Sequence, residues 1–186
     1  MSSGRRLSRD NALIILIDFQ TDLAMTVGSG NIRTLLARAV DLAKIGKAFD
    51  IPTILTTIGV KSFGGPLFQE LHAIFPDREP VDRTTMGILE DNTILEDIKR
   101  SQRKKLVMAG LWTDFCIVLS ASQALDAGYE VYVVADACGD VSIEAHHAAI
   151  RQMTLAGVVP MESFRVLREL QAPENHGNFP SASSAR

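Results

Sequence analysis

Two side chains in this sequence have the type and placement to do chemistry. Asp18 follows directly on the apolar run Ala12-Leu-Ile-Ile-Leu-Ile17. A carboxylate in that position is costly to desolvate unless it has a partner or a task, although a polar strand end or a helix-capping Asp is the plainer alternative. Gln20 adds a second polar group on the same side of the chain. Cys116 closes the stretch Gly110-Leu-Trp-Thr-Asp-Phe-Cys116, where an apolar run gives way to a helical pattern. A cysteine there could be a core residue, a metal ligand or a nucleophile. In the first turn of a helix, free backbone N–H groups and the helix dipole favour thiolate over thiol. A carboxylate within reach could take the thiol proton and later deliver it to a leaving group, as acid-base and nucleophilic catalysis require.

Bringing such residues together is the work of the elements between them. The run at 12–17 shows no polar alternation, the pattern of a strand buried on both faces of a parallel sheet. From 31 to 49 the apolar residues recur at helical spacing, with Asn31 as the candidate cap. Further strands are predicted at 52–56, 80–83, 105–109, 130–134 and 158–159. Helices are predicted at 66–74, 93–101, 116–127, 142–156 and 163–170, with Gly128 and Gly157 as stops. This alternation predicts an α/β fold: three layers, a doubly wound, mostly parallel sheet with helices on both faces. In such sheets ligands gather at the carboxyl ends of the strands. Asp18, the end of the edge strand at Arg83 and the segment 110–116 are therefore expected on one rim.

Composition narrows the function classes. The chain has 186 residues, a formal net charge of −3 and 22% charged residues. That length suits one domain over about 1–170. The stretch 171–186 is poor in apolar residues and is expected to be a loose tail. No basic excess invites nucleic acid, and the cluster Lys99, Arg100, Arg103, Lys104 and Lys105 is explained by a helix C-terminus. No apolar run is long enough for a membrane span or signal-peptide core, so a cytoplasmic location is expected. The cysteines, Cys116 and Cys138, are read as thiols. His146 and His147 read as packing or surface residues, and Cys138 as structural, with a place in the pocket left open. Gly28-Ser-Gly30 reads as a turn or lid; without the full strand–Gly-x-Gly-x-x-Gly–helix arrangement, dinucleotide binding is a distant option.

Taken together, Ile17-Asp18-Phe19-Gln20, Gly64-Gly-Pro-Leu67, Phe75-Pro-Asp77, Ala109-Gly-Leu-Trp-Thr-Asp-Phe-Cys116 and Gly128-Tyr-Glu-Val-Tyr-Val-Val-Ala-Asp-Ala137 resemble the isochorismatase-like cysteine hydrolases, in particular their YcaC-like branch. The resemblance runs from about Asp10 to Leu170, and its most specific element is Gly-x-x-Thr-Asp-x-Cys. It implies an Asp-Lys-Cys triad, with Asp18 and Cys116 in two of the three places. The lysine is missing. Where the family offers it, this chain reads Val81-Asp-Arg-Thr-Thr85, so Arg83 is the candidate cation, with Lys61 a lesser substitute and a surface pairing of Arg83 with Asp82 or Asp77 the plain alternative. Arginine keeps the charge but is fork-shaped and never deprotonated.

The resemblance also implies a non-proline cis peptide between Leu111 and Trp112, and an oxyanion hole formed by the Trp112 and Cys116 amides. Zinc-binding relatives carry an Asp-x-His pattern, which Thr56-Thr-Ile-Gly-Val-Lys-Ser-Phe-Gly-Gly65 lacks; no metal and no cofactor are expected. The expectation is a hydrolase cleaving a small amide or imide-type C–N bond through an acyl-cysteine intermediate. Asp18, Arg83 and Cys116 are its catalytic residues, Phe19, Gln20 and Trp112 its pocket walls, a small molecule its substrate, and a homo-oligomer its assembly. The rivals are a catalytically silent metabolite-binding or scaffold member and an isochorismatase-type enol-ether hydrolase.

Overall fold

The computed structural model describes residues 6–171; the expected tail lies outside the described residues apart from Gln171. Strands β1 (Ala12–Ile17), β2 (Thr53–Ile58), β3 (Val81–Arg83), β4 (Lys105–Gly110), β5 (Glu130–Val134) and β6 (Val159–Met161) form one sheet in the order β3-β2-β1-β4-β5-β6. Every pairing between them is parallel. β1 and β4 lie at the centre, in register from Ala12↔Lys105 to Ile17↔Gly110, and every residue of both is buried. Their apolar character, broken only by Lys105 at the start of β4, follows from that position, because a strand covered on both faces offers little room for polar residues.

The helices are α1 (Thr21–Ala24), α2 (Ile32–Ala48), α3 (Gln69–His72), α4 (Asn92–Ser101), α5 (Val118–Asp126), α6 (Ile143–Ala156) and α7 (Ser163–Gln171). α2 packs with α3 and α7, and α5 with α6, so helical layers flank the sheet. Local signals set several ends. Asn31 accepts from the Arg33 and Thr34 amides, and Ser142 from Ala145. Gly157, at φ 110°, ends α6 in the left-handed region that glycine enters without penalty.

Two stretches depart from the expected helices. The pattern at 66–74 shrinks to the single turn α3, and the chain after β2 first closes a π-helical turn at Val60–Gly64. The helix expected from Cys116 instead opens as a π-helical turn at Thr113–Ile117, and regular α-helix starts only at Val118. Among the described residues, no helix is long and apolar enough to cross a membrane.

Candidate active site

Order β3-β2-β1-β4 puts the topological switch of the sheet between β1 and β4, the place at whose carboxyl strand ends ligands gather in such folds. β1 leads into Asp18, β3 ends in Arg83, and β4 leads into the turn carrying Cys116. Asp18 is bent out of the strand in a left-handed conformation, φ 56°, which Asp tolerates better than most residues. Its Oδ2 accepts from Arg83 Nη2 at 2.6 Å and its Oδ1 from Thr56 Oγ1 at 3.0 Å. Both side chains of the ion pair are fully buried.

The Cys116 thiol lies beside both of them, near enough for the Asp18 carboxyl and the Arg83 guanidinium to act on its ionisation. Residues 65 positions apart in the chain are therefore paired, with the cysteine beside them. Burial raises the Asp18 carboxyl above its ordinary range, opposed by the Arg83 charge and the Thr56 hydroxyl. Burial and the negative Asp18 push the Cys116 thiol up to about 12, with Arg83 partly offsetting them. This corrects the expectation of a thiolate favoured by a helix start. The sulfur sits in a buried π-turn beside a carboxylate, and desolvation outweighs any dipole. The resting cluster is a neutral thiol next to a carboxyl group whose affinity for a proton is enhanced.

The turn itself is held from behind. Thr113 N and Oγ1 both donate to Gly139 O, at 2.9 and 3.1 Å, and the Asp114 amide donates to Asp140 Oδ2 at 2.7 Å. Thr113 Oγ1 also lies 2.8 Å from His146 Nδ1; with the hydroxyl proton committed to Gly139, we assign the imidazole as donor there. Asp140 in turn accepts on its carbonyl from the Gly28 and Ser29 amides, so the Gly28-Ser-Gly30 segment is a turn fastened to the loop that braces Cys116.

Several expected roles move. Phe19 and Gln20 are fully buried and do not line an open pocket. The Gln20 amide is consumed by backbone, donating to Ile58 O and Gly65 O and accepting from Ile58 N, so it fastens the loop after β2. Asp82 does not hold Arg83; it accepts from Thr57 Oγ1 and the Val60 amide. Lys61 is exposed on its turn. Cys138 is core, held up at about 12 by burial, and His146 packs on the Cys116 turn. Sequence reading passed over Thr56, Thr113 and Asp140. The Thr and Asp of Gly-x-x-Thr-Asp-x-Cys were a visible signal for the turn's anchoring, whereas Asp140 had none.

The Leu111–Trp112 peptide is cis. Leu111 is buried, and Trp112 is half-buried with its ring edge-on to Phe63, centroids 6.0 Å apart. Phe63, Met86, Phe115 and Leu119, from the segments after β2, β3 and β4, stand exposed. Two surface hollows lie elsewhere: one between α2 and α7, lined by Ile45, Phe49 and Phe164, and one at the opposite strand ends, around Pro52 and Arg78. Neither brings together a nucleophile and a proton acceptor. Among the described residues, no three His, Cys, Asp or Glu side chains are grouped as a metal would need.

Comparison with known proteins agrees with this architecture. The probable hydrolase YcaC of Escherichia coli K12 is 31% identical over 89% of this chain and 80% of its own length. The structure of YcaC from Pseudomonas aeruginosa, solved with hexane-2,5-diol and covalent acrylamide, superposes with a TM-score of 0.87 at 31% identity, covering 91% of this chain and 85% of that one. The Escherichia coli YcaC structure, described as an octameric hydrolase of unknown specificity, gives 0.86 at 32% identity, covering 89% and 82%. With the isochorismatase domain model matching residues 12–163 as well, the chain belongs to the isochorismatase family and is an isochorismatase-like hydrolase of YcaC-like type.

Proposed function

We propose that this protein cleaves a small amide or imide-type C–N bond with Cys116 as nucleophile, Asp18 as proton shuttle and Arg83 as resident cation. The observation that carries the reading is the buried cluster itself, in which the Asp18–Arg83 ion pair and the Cys116 thiol come together from three strand ends. Sγ attacks the carbonyl carbon as the thiol proton passes to Asp18. The negative charge moves from carboxylate to sulfur while Arg83 stays positive beside both, so the transfer separates no new charge in a low-dielectric site. The Trp112 and Cys116 amides are assigned to the developing oxyanion; such a donor is typically worth about 2.7–4 kcal/mol. The C–N bond then breaks and Asp18 protonates the departing nitrogen. Water attacks the thioester, Asp18 takes its proton, the carboxylic acid leaves, and the thiol is restored.

The covalent acrylamide on the Pseudomonas aeruginosa relative supports a reactive nucleophile in this branch. The raised thiol, sealed at 3% exposure, favours the silent alternative instead. A turnover screen over small amides, carbamoyl compounds and imides separates the two, with Cys116→Ala as blank and mass detection of the acyl-enzyme. Under the hydrolase reading, Asp18→Asn lowers turnover by about 10²–10⁴-fold, the usual scale of acid-base catalysis. Turnover that survives in Cys116→Ala, or none on any substrate, would sink it.

The exposed Phe63, Met86, Phe115 and Leu119 are also read as a contact between copies of this chain, in line with the octamer of the Escherichia coli relative. Phe115→Glu is expected to lower the mass seen by light scattering. An unchanged mass refutes that assignment.

A further inference from the structure

The arginine that stands where the family uses lysine leaves a specific mark on the site. Arg83 is 1% exposed, yet of its three guanidinium nitrogens only Nη2 has an acceptor oxygen, on Asp18; Nε and Nη1 have none. The second Asp18 oxygen is taken by Thr56, which holds the pair to a single bond instead of the two-pronged contact an arginine fork can make. Among the described residues, five buried side-chain nitrogen or oxygen atoms lack a partner, and two of them belong to Arg83. Buried donors are normally satisfied, and leaving one without an acceptor costs about 1–3 kcal/mol, more for a charged group. An ammonium at this place would be a point charge with no fork to fill.

We propose that the unpartnered edge of Arg83, beside Cys116, is a carboxylate-binding subsite, and that the electrophile attacked by Cys116 carries a carboxylate next to the reacting carbon. This rests on Cys116 being the nucleophile. A carboxylate matches the site because a charge-assisted bond is about twice as strong as a neutral one, and an arginine fork takes both of its oxygens. The anchored group would place the neighbouring carbon at the sulfur, so one residue would serve both the carboxyl partner and the substrate.

The test compares iodoacetate with iodoacetamide on the full chain, adducts being located by peptide mass mapping. In each case Sγ bonds to the CH₂ carbon, iodide leaves and the thiol proton passes to Asp18. A thiolate in water reacts more slowly with the anionic reagent, since like charges repel. The iodoacetate-to-iodoacetamide rate ratio at Cys116 is expected to exceed that of free cysteine by at least tenfold. Millimolar acetate is expected to protect against iodoacetamide competitively, whereas sodium chloride at equal ionic strength does not. Arg83→Lys keeps the charge but loses the fork, and protection is expected to weaken at least tenfold; if that variant does not fold, the two measurements on the unaltered protein decide.

A free-cysteine ratio without acetate protection, while iodoacetamide still labels Cys116 in an Asp18-dependent way, overturns the subsite and leaves the nucleophile intact. Failure of both reagents overturns the nucleophile, and the subsite with it.

Discussion

Arg83→Met removes the cation while keeping much of the side chain's volume. Asp18 and Arg83 lie 2.6 Å apart at their closest atoms and both are sealed from solvent. Charge centres about 4 Å apart attract by about 4 kcal/mol at an effective dielectric of 20, and removing one partner of a buried pair costs about 3–5 kcal/mol. Asp18 recovers part of this by taking up a proton, so the expected loss at pH 7 is about 3 kcal/mol, or roughly a 1.5 M fall in urea midpoint for a slope of about 2 kcal/mol/M.

The pH dependence follows from the sign of the shift. Burial already raises the Asp18 carboxyl and Arg83 opposes that rise, so the variant's carboxyl moves higher still. A carboxyl raised in the folded state stabilises fully below its unfolded value, near 3.8, and that contribution is lost as pH climbs through the folded value. The deficit of Arg83→Met is therefore largest at neutral pH and shrinks as pH falls toward 4. Asp18→Asn/Arg83→Met, with neither charge, should recover roughly 2 kcal/mol over Arg83→Met alone at pH 7. Urea unfolding followed by circular dichroism at pH 4 and 8 measures both effects. A deficit below about 1 kcal/mol, equal at the two pH values, or a double variant no better than the single, would refute the view of Arg83 as a structural counter-charge.

Two further outcomes test the frame around the site. Cys138 is held up at about 12 against an ordinary value near 9, so its stabilisation is complete below pH 9 and is lost as pH rises toward 12. Between pH 9 and 11 the stability difference between the unaltered protein and Cys138→Ala should fall by about 2 kcal/mol; parallel curves in chemical denaturation would show that the thiol is not sealed. At Gly110 an added Cβ would overlap the Ile17 carbonyl oxygen, where β1 and β4 hand over to the site loops. Gly110→Ala is expected to cost about 3 kcal/mol, at the upper end for overpacking, and to slow Cys116 alkylation; an unchanged melting temperature would mean that the close approach there is soft.

The sequence by itself determined the layered α/β architecture, the strand at 12–17, the Asn31 and Ser142 caps and the rim on which Asp18 and the 110–116 segment fall. These are properties of short windows: an unbroken apolar run demands burial on both faces, a capping side chain acts within one turn, and a parallel sheet puts its loops at strand ends. Tertiary structure decided the rest. It chose Asp18 over Asp82 as the partner of Arg83, turned Gln20 from pocket wall to loop fastener, recruited Asp140 and His146 to brace the Cys116 turn, and pushed the thiol's pKa up. Each of these depends on which groups are sealed from water together. Desolvation and charge pairing are set by neighbours brought from distant parts of the chain, and no local pattern of residues encodes them.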